Sequence, residues 1–186
     1  QLRGFLHDSW SLEEAASLVG KVWDLASAYR QLARSPSHAA VSVVAVWNHA
    51  TCVTEYFEQL VLPFGSTASV YGFNWTARGL HMILVNLFGL LSTHYFDDFP
   101  VLEFDRLADH TQAVVDDIFS MLGWSTKEQR PFASEFEPLG VVLDLSDTPT
   151  GVVRVRNKTS RLQEISETVE RITRSGFLKR AEARSL

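Results

Sequence analysis

The sequence predicts an α+β domain in which an antiparallel sheet carries helices packed on one face. Two patterns support this prediction. Short apolar runs typical of strands dominate the first third of the chain, whereas apolar residues spaced three and four apart mark long helices further on. With 186 residues and 46% apolar content, the chain is long enough to bury one well-packed core.

Strands are expected to predominate before residue 66, after one short helix. Ser11 and Glu14 have the spacing of a capping box, which predicts a helix over residues 12–18. Three apolar runs then predict strands, and the third is the expected antiparallel partner of the second: 19–25, 41–47 and 56–62.

Two helices are predicted in the middle of the chain. Ser66 is placed to cap a long helix whose apolar stripe continues to Leu87. A second apolar stripe predicts a helix over residues 107–121, and Gly123 follows at the position where glycine usually ends a helix. The acidic stretch between these helices is expected to lie in the middle of the sheet.

The last part of the chain is predicted to contain a hairpin and one more helix. Runs at 136–145 and 152–156 predict two strands joined by a turn at 147–151. The final apolar stripe, 162–172, predicts a long helix that ends near Gly176. We therefore expect a main domain over residues 1–150 and a basic helical segment over residues 151–186.

The charge of the chain is unevenly distributed. The formal net charge of −5 argues against a simple nucleic-acid-binding domain, which is expected to present a basic face. Residues 1–150 hold 8 basic and 18 acidic residues, whereas residues 151–186 hold 9 basic and 4 acidic ones. This asymmetry fits a metal-binding body beside a phosphate-contacting element, although a solvated amphipathic helix gives the same count.

The cysteine content and the hydropathy pattern restrict the environment of the protein. The single cysteine, Cys52, excludes an internal disulfide framework, and its apolar neighbours predict a packed thiol. These features favour an intracellular location. The apolar stretch 82–91 is too short to span a bilayer, so we expect a soluble protein without a membrane partner.

Two adjacent acids, Asp97 and Asp98, lie between aromatic residues in the stretch THYFDDFP. A surface turn is one explanation of this pair, because Asp favours turns and Pro disfavours a continuing strand. The apolar residues on both sides instead predict a hairpin tip that rises from the core. Like charges this close disfavour each other's ionisation, and a divalent cation would keep both charged. A third acid from an earlier strand would complete such a site.

Five segments of the chain form an ordered series of motifs. They are DLASAYRQL from Asp24, LPFGSTASVYGFN from Leu62, YFDD from Tyr95, LGW from Leu122 and LGVVLDL from Leu139. In this order they resemble the successive motifs of the reverse transcriptase palm, over about residues 21–145. The LPFG form is most similar to the retrotransposon branches, which favours a retroelement origin. The resemblance implies a polymerase palm fold.

The resemblance also implies three catalytic acids and a metal cofactor. Asp24, Asp97 and Asp98 match the acids that bind two Mg²⁺ ions in the family, with Mn²⁺ as a substitute. Phosphoryl transfer requires charge neutralisation and in-line positioning more than covalent help, which supports this assignment independently. The implied partners are an RNA or DNA template with its primer and deoxynucleoside triphosphates. The implied reaction is RNA-directed DNA synthesis, the transfer of deoxynucleotides to the primer 3′-hydroxyl.

Four further residues match substrate-binding positions of the family. Tyr29 matches the ring that lies where the 2′-hydroxyl of a ribonucleotide would be. Phe64 and Gly65 match the motif that lines the incoming base pair. Arg130 stands where relatives often carry a lysine that protonates the departing pyrophosphate; an arginine offsets charge but is a poor proton donor. Lys127 is the alternative for that role.

Two features, at the two ends of the chain, separate it from a complete polymerase. Only 23 residues precede Asp24, so we expect the fingers to be largely missing. Residues 177–186 resemble the start of a thumb, and the chain is expected to be part of a longer polyprotein with weak or no activity alone. The pair Leu139-Gly140 would lie near the primer-grip hairpin, although a tight sheet contact explains it equally well.

Two other classes of function stay open on the sequence alone. The first is a non-catalytic retroelement relic that binds nucleic acid or a protein through its basic segment. The second is a carboxylate metallohydrolase such as a nuclease, which would also use clustered acids. A hydrolase would need neither Tyr29 nor the LPFG motif, and this difference separates it from a polymerase.

Overall fold

The computed structural model describes residues 17–127 and 130–177. In these residues the chain folds into an α+β structure built from small antiparallel sheets and helices, as the sequence predicts. The helix predicted over 12–18 falls mostly outside the described residues, and its last residue, Leu18, lies in a strand instead.

The elements are numbered here in chain order. The strands are β1 (Leu18–Asp24), β2 (Val43–Asn48), β3 (Val53–Glu58), β4 (Leu91–Ser92), β5 (Asp98–Phe104), β6 (Glu135–Phe136), β7 (Val141–Asp144) and β8 (Arg154–Asn157). The helices are α1 (Thr67–Met82), α2 (Ala108–Met121) and α3 (Thr159–Ser175). A π-helical turn, Ile83–Leu87, continues α1.

The central sheet has the strand order β1-β5-β4, with β5 in the middle. Strands β1 and β5 are antiparallel and pair along their whole length, from Leu18 opposite Phe104 to Asp24 opposite Asp98. The outer edge of β1 also receives backbone hydrogen bonds from the segment after α2, since Gly20 pairs with Ala133. The central sheet is therefore closed on the β1 side by a later part of the chain.

One face of the central sheet carries the main core. Trp23 and Phe99 are direct partners across β1 and β5, and both are fully buried. Helices α1 and α2 pack against this face and contribute the other large buried residues of the cluster: Phe73, Ala77, Leu80, Leu84, Val115, Ile118 and Phe119. The expected packing of helices on one face is therefore confirmed for α1 and α2.

The core also contains a buried charged side chain, Lys21. Its ammonium group lies 4.3 Å from the centroid of the Trp23 ring, and burial lowers the pKa of Lys21 while Asp116 on α2 opposes this shift. The indole Nε1 of Trp23 donates a hydrogen bond of 2.6 Å to Oδ1 of Asp116. These contacts connect β1 to α2 on the helix side of the sheet.

The opposite face of the central sheet is covered by strands. Phe136 of β6 packs against this face with Leu18 and Leu145, and its ring lies directly over Gly20. Strands β6, β7 and β8 form a separate sheet in that order, so β8 pairs with β7 across the proposed boundary at residue 150. The division into residues 1–150 and 151–186 stays a prediction.

The single strand predicted over 136–145 is wrong. The chain reverses between β6 and β7, where Leu139 and Gly140 have φ values of 53° and 82°. Two consecutive residues in the left-handed region are incompatible with an extended strand, so the run is divided into two short antiparallel strands. The partner strand and the turn before it lie close to the predicted positions.

Strands β2 and β3 form the predicted antiparallel hairpin, although β3 begins three residues before the predicted strand 56–62 and already ends at Glu58. Several large apolar side chains of this hairpin are exposed, among them Val46, Trp47 and Tyr56. Cys52 lies in the connecting turn with φ of 52°, and its side chain is exposed. The expectation of a packed thiol is therefore wrong, because a tight turn directs the cysteine away from the core.

The helix ends follow local signals. Ser66 stands at the start of α1 as predicted, although its side chain makes no capping hydrogen bond. Gly123 follows α2 with φ of 79°, and Gly176 ends α3 with φ of 64°. In the described ranges, no helix combines the length and the hydrophobicity needed to cross a membrane.

Replacing Gly20 with alanine is expected to destabilise the fold. The new methyl group would lie 2.0 Å from Cε1 of Phe136, so the ring or the sheet must move. We expect Gly20→Ala to lower the free energy of unfolding by about 1–3 kcal/mol, measured by urea denaturation. The double variant Gly20→Ala, Phe136→Leu should recover part of this loss.

Gly79→Ala is the matched control for this substitution. An added methyl group at Gly79 meets nothing within 4 Å. Because alanine favours helices, this variant should gain up to about 1 kcal/mol in the middle of α1. If Gly20→Ala and the wild type are equally stable, the packing of Phe136 does not require a residue without a side chain at position 20.

Candidate active site

The three predicted acids meet at one end of the central sheet. Asp24 is the last residue of β1, Asp98 is the first residue of β5, and the two are direct partners in the antiparallel register. Asp97 immediately precedes β5, and its carbonyl oxygen accepts a hydrogen bond of 3.0 Å from the backbone N–H of Leu25. The pairing of β1 with β5 thus brings together acids that are distant in the sequence.

A tight hairpin turn positions Asp97 and Asp98. Tyr95 and Asp98 exchange backbone hydrogen bonds of 2.9 and 3.1 Å across the two turn residues, Phe96 and Asp97. Phe96 has φ of 52°, a conformation that bulky residues rarely adopt, and its ring packs against the core and edge-on to Tyr95. Strain of this kind costs about 1–3 kcal/mol and is concentrated at functional sites.

The carboxylates repel one another where they meet. The pKa of Asp98 is raised above its ordinary value, first by burial and then by the charges of Asp24 and Asp97. Lys127 and Lys158 oppose this shift. Oδ1 of Asp24 is buried and has no hydrogen-bond partner among the described residues. This end of the sheet therefore holds more negative charge than the surrounding side chains neutralise.

Lys127 makes a direct ion pair with one of the acids. Its Nζ lies 2.6 Å from Oδ2 of Asp24, and this hydrogen bond is the main cause of the raised pKa of Lys127. The backbone N–H of Lys127 also donates a bond of 2.9 Å to the carbonyl oxygen of Asp24. Both the main chain and the side chain of Lys127 are therefore held against Asp24.

Gln31 connects the two loops that carry these groups. Its Nε2 donates a hydrogen bond of 2.6 Å to the carbonyl oxygen of Ala26, and its Oε1 accepts one of 2.7 Å from the backbone N–H of Ser125. Gln31 is not among the residues predicted from the sequence. Its role depends on a contact between segments about a hundred residues apart, for which the sequence pattern contains no signal.

Two predicted substrate-binding residues, Tyr29 and Phe64, lie together beside the acids. The ring centroids of Tyr29 and Phe64 are 5.1 Å apart, and Tyr29 stacks on the buried Phe73 with centroids 4.8 Å apart. The pKa of Tyr29 is raised, first by burial and then by the charge of Asp97. Gly65 follows with φ of 83°, at the turn before α1.

Arg130 lies away from this group. Its guanidinium is exposed and lies 3.9 Å from Glu137, whose carboxylate is also 2.9 Å from Lys158. The structure brings Lys127, which the sequence analysis named only as an alternative, to the acids instead. The strand-like pairing of residues 125–127 with residues 24–26 determines that Lys127, and not Arg130, reaches Asp24.

Leu139 lies at the turn between β6 and β7, next to an apolar cavity of about 480 Å³. Thr93 and Pro100, on either side of the acidic hairpin turn, line the same cavity. Leu139 therefore lies near the acidic hairpin, but on the face of the sheet opposite to α1 and α2.

The donor set at the acids suits a hard divalent cation. Mg²⁺ prefers carboxylate oxygens and needs only one or two of them when water and substrate phosphates complete its shell. In residues 17–127 and 130–177, no three acidic, histidine or cysteine side chains are arranged so that they could by themselves hold a metal ion. A cation at this end of the sheet would nevertheless relieve the mutual repulsion of Asp24, Asp97 and Asp98, which makes these acids the candidate ligands of a proposed metal site.

Comparison with known proteins gives no assignment. No protein-family model matches the sequence, and no curated protein matches it significantly. Function must therefore be inferred from the side chains and their arrangement.

The repulsion at Asp98 predicts that this residue lowers stability. Folding raises the pKa of Asp98 above its ordinary value of 3.8. The native state therefore loses stability as the pH rises from 3.8 through the raised pKa. Asp98→Asn should therefore be more stable than the wild type at neutral pH, by about 1 kcal/mol, as is common at functional sites. The gain should disappear below pH 3.8.

Urea denaturation of both proteins across a pH series measures this effect. Asp117→Asn, on the exposed side of α2, is the matched control, and it should leave stability unchanged within about 0.5 kcal/mol. A loss of stability in Asp98→Asn at neutral pH would contradict the assigned repulsion.

Proposed function

We propose that this chain is the palm of an RNA-directed DNA polymerase of retroelement origin, which transfers deoxynucleotides to a primer 3′-hydroxyl. The observation that supports the proposal most is the β1–β5 register, with Asp24 opposite Asp98 and Asp97 in the adjoining turn. The neighbouring pair of Tyr29 and Phe64 supports it further. A template with its primer and deoxynucleoside triphosphates are the proposed substrates.

In this proposal the three acids hold the metal cofactor. Two Mg²⁺ ions, or Mn²⁺ in their place, would supply neutralisation of the triphosphate charge and activation of the 3′-hydroxyl. Asp24 and Asp98 extend from two paired strands and Asp97 from the adjoining turn, so backbone hydrogen bonds fix the main-chain positions of all three acids. Rigid positioning is the main contribution that a protein makes to phosphoryl transfer.

Tyr29 and Phe64 are proposed to contact the incoming nucleotide. The Tyr29 ring cannot retreat easily, because it rests on the fully buried Phe73. A ring that is held in this way can reject a substrate carrying an additional hydroxyl group. Gly65 leaves open space beside it, since an added Cβ would meet nothing within 4 Å.

The aromatic pair favours a polymerase over a metallohydrolase. A nuclease needs clustered acids and a metal-bound water, but it has no use for a ring that checks the sugar of a free nucleotide. A non-catalytic binding module would need neither the acids nor the ring in this arrangement. Both alternatives are outcomes of the experiment described next.

Primer extension on an RNA template tests the proposed chemistry. The wild-type chain, with Mg²⁺ or Mn²⁺, should add deoxynucleotides only weakly, and a dideoxynucleotide should terminate the products. The double variant Asp97→Asn, Asp98→Asn should lose at least about a hundredfold in rate, because charge stabilisation is the main catalytic contribution. Two exposed acids of α2 provide the control, Asp109→Asn, Asp117→Asn, which should retain activity.

Each other outcome has a defined meaning. Equal extension by the Asp97, Asp98 variant would contradict the assigned acids. Metal-dependent cleavage of nucleic acid without extension would favour the hydrolase. A folded wild-type chain that binds Mn²⁺ but extends no primer would indicate a catalytic palm that needs the rest of its polyprotein, whereas RNA binding without Mn²⁺ binding would favour the non-catalytic module.

The choice between deoxynucleotides and ribonucleotides tests the role of Tyr29. Tyr29→Val removes the ring, so the ratio of deoxynucleotide to ribonucleotide incorporation should fall at least about tenfold. Tyr29→Phe keeps the ring and should keep the ratio. The ratio is measured in single-nucleotide addition by each variant, so it is independent of the total activity. An unchanged ratio in Tyr29→Val would remove Tyr29 from the proposed site.

A further inference from the structure

The two carboxylate oxygens of Asp24 differ in their access to solvent. The Asp24 side chain is 34% exposed, yet its Oδ1 is buried. Oδ2 is therefore the oxygen that a dissolved cation can reach. Nζ of Lys127 lies 2.6 Å from this same oxygen. A cation that arrives from solvent meets the ammonium group of Lys127 first.

This ion pair is more constrained than an ordinary surface pair. The backbone of Lys127 is hydrogen-bonded to Asp24, and Ala26 N–H donates a bond of 2.9 Å to the carbonyl oxygen of Ser125. Gln31 holds the same two segments together through its amide group. The base of the Lys127 side chain is thus fixed beside Asp24, whereas 54% of the side chain is exposed and can swing into water.

Resting on the proposed function, we propose that Lys127 is an exchangeable internal counter-ion. Its ammonium group neutralises Asp24 while no divalent cation is bound and is displaced from Oδ2 when one binds. No covalent bond changes in this exchange. The ammonium leaves the carboxylate for solvent, and the cation takes its place among Asp24, Asp97 and Asp98.

The exchange explains how the acids coexist in the metal-free protein. Without a positive charge, three carboxylates at the end of two paired strands would repel one another strongly enough to weaken the hairpin. A lysine is suited to this task, since its ammonium is a compact point charge on a flexible stem that can leave without disturbing the backbone. An arginine would bind the carboxylate in a more rigid geometry.

The first test uses no metal and measures only the counter-ion role. In the presence of a chelator, Lys127→Met should lower the melting temperature by about 2–4 °C, because the acids lose their neutralising partner. Adding Asp24→Asn to this variant should restore most of the loss. Arg174→Met is the control, since it removes a basic side chain that pairs with Glu170 on α3. Adding Asp24→Asn to this control should bring no recovery of the melting temperature.

The second test measures binding of Mn²⁺ alone to the full chain by electron paramagnetic resonance of the free ion. Lys127→Met should bind Mn²⁺ about three- to tenfold more tightly than the wild type, as expected when a half-exposed competing ion pair is removed. Lys127→Arg should bind no more tightly than the wild type. Arg174→Met should change the affinity much less, and Asp24→Asn should abolish the effect of Lys127→Met.

The two tests separate failure of this inference from failure of the proposed function. If Lys127→Met in chelator melts at the same temperature as the wild type, the counter-ion role is overturned, whether or not Mn²⁺ binds. Unchanged Mn²⁺ affinity in Lys127→Met, with binding that still depends on Asp24, would overturn the exchange and leave the metal site of the proposed function intact. If Asp24→Asn leaves the affinity for Mn²⁺ unchanged, both the exchange and the proposed metal site are overturned.

Discussion

The antiparallel register between β1 and β5 is the constraint on which the rest of the structure depends. It places Trp23 opposite Phe99 in the core and Asp24 opposite Asp98 at the end of the same strand pair. A slip of one residue would turn each side chain of β1 to the other face of the sheet. The burial of Trp23 and Phe99 therefore determines that the acids meet, and the core and the candidate site are products of a single pairing.

The acids lie where the interior of the protein ends. Burial raises the pKa of Asp98, and the adjoining turn holds Phe96 in a strained backbone conformation. Both features cost stability, and a sequence selected for stability alone would place a glycine and neutral residues here. The packing of Phe96 against the core and the ion pair of Lys127 offset part of the cost. This combination of strain and uncompensated charge is typical of functional sites.

Support for the site comes from both faces of the sheet and from its edge. On the helix side, α1 carries Phe73, on which Tyr29 rests. On the other side, Phe136 of β6 packs directly on Gly20 of β1. This close contact is possible only because glycine has no side chain. Along the edge, the segment after α2 pairs with β1 and delivers Lys127 to Asp24. These contacts explain how a short strand pair can hold charged side chains in one arrangement.

Local patterns in the sequence were sufficient to predict β1, the β2–β3 hairpin, the three helices and the proximity of the three acids, because apolar periodicity and motif order are properties of neighbouring residues. The division of residues 136–145 into two strands and the exposure of Cys52 were not predicted, since both depend on turn conformations without a clear local signal. Only the tertiary structure shows that Lys127, and not Arg130, lies beside Asp24. The same is true of the bridging role of Gln31. Hydrogen bonds between segments about a hundred residues apart determine both, and no local pattern encodes such a distance.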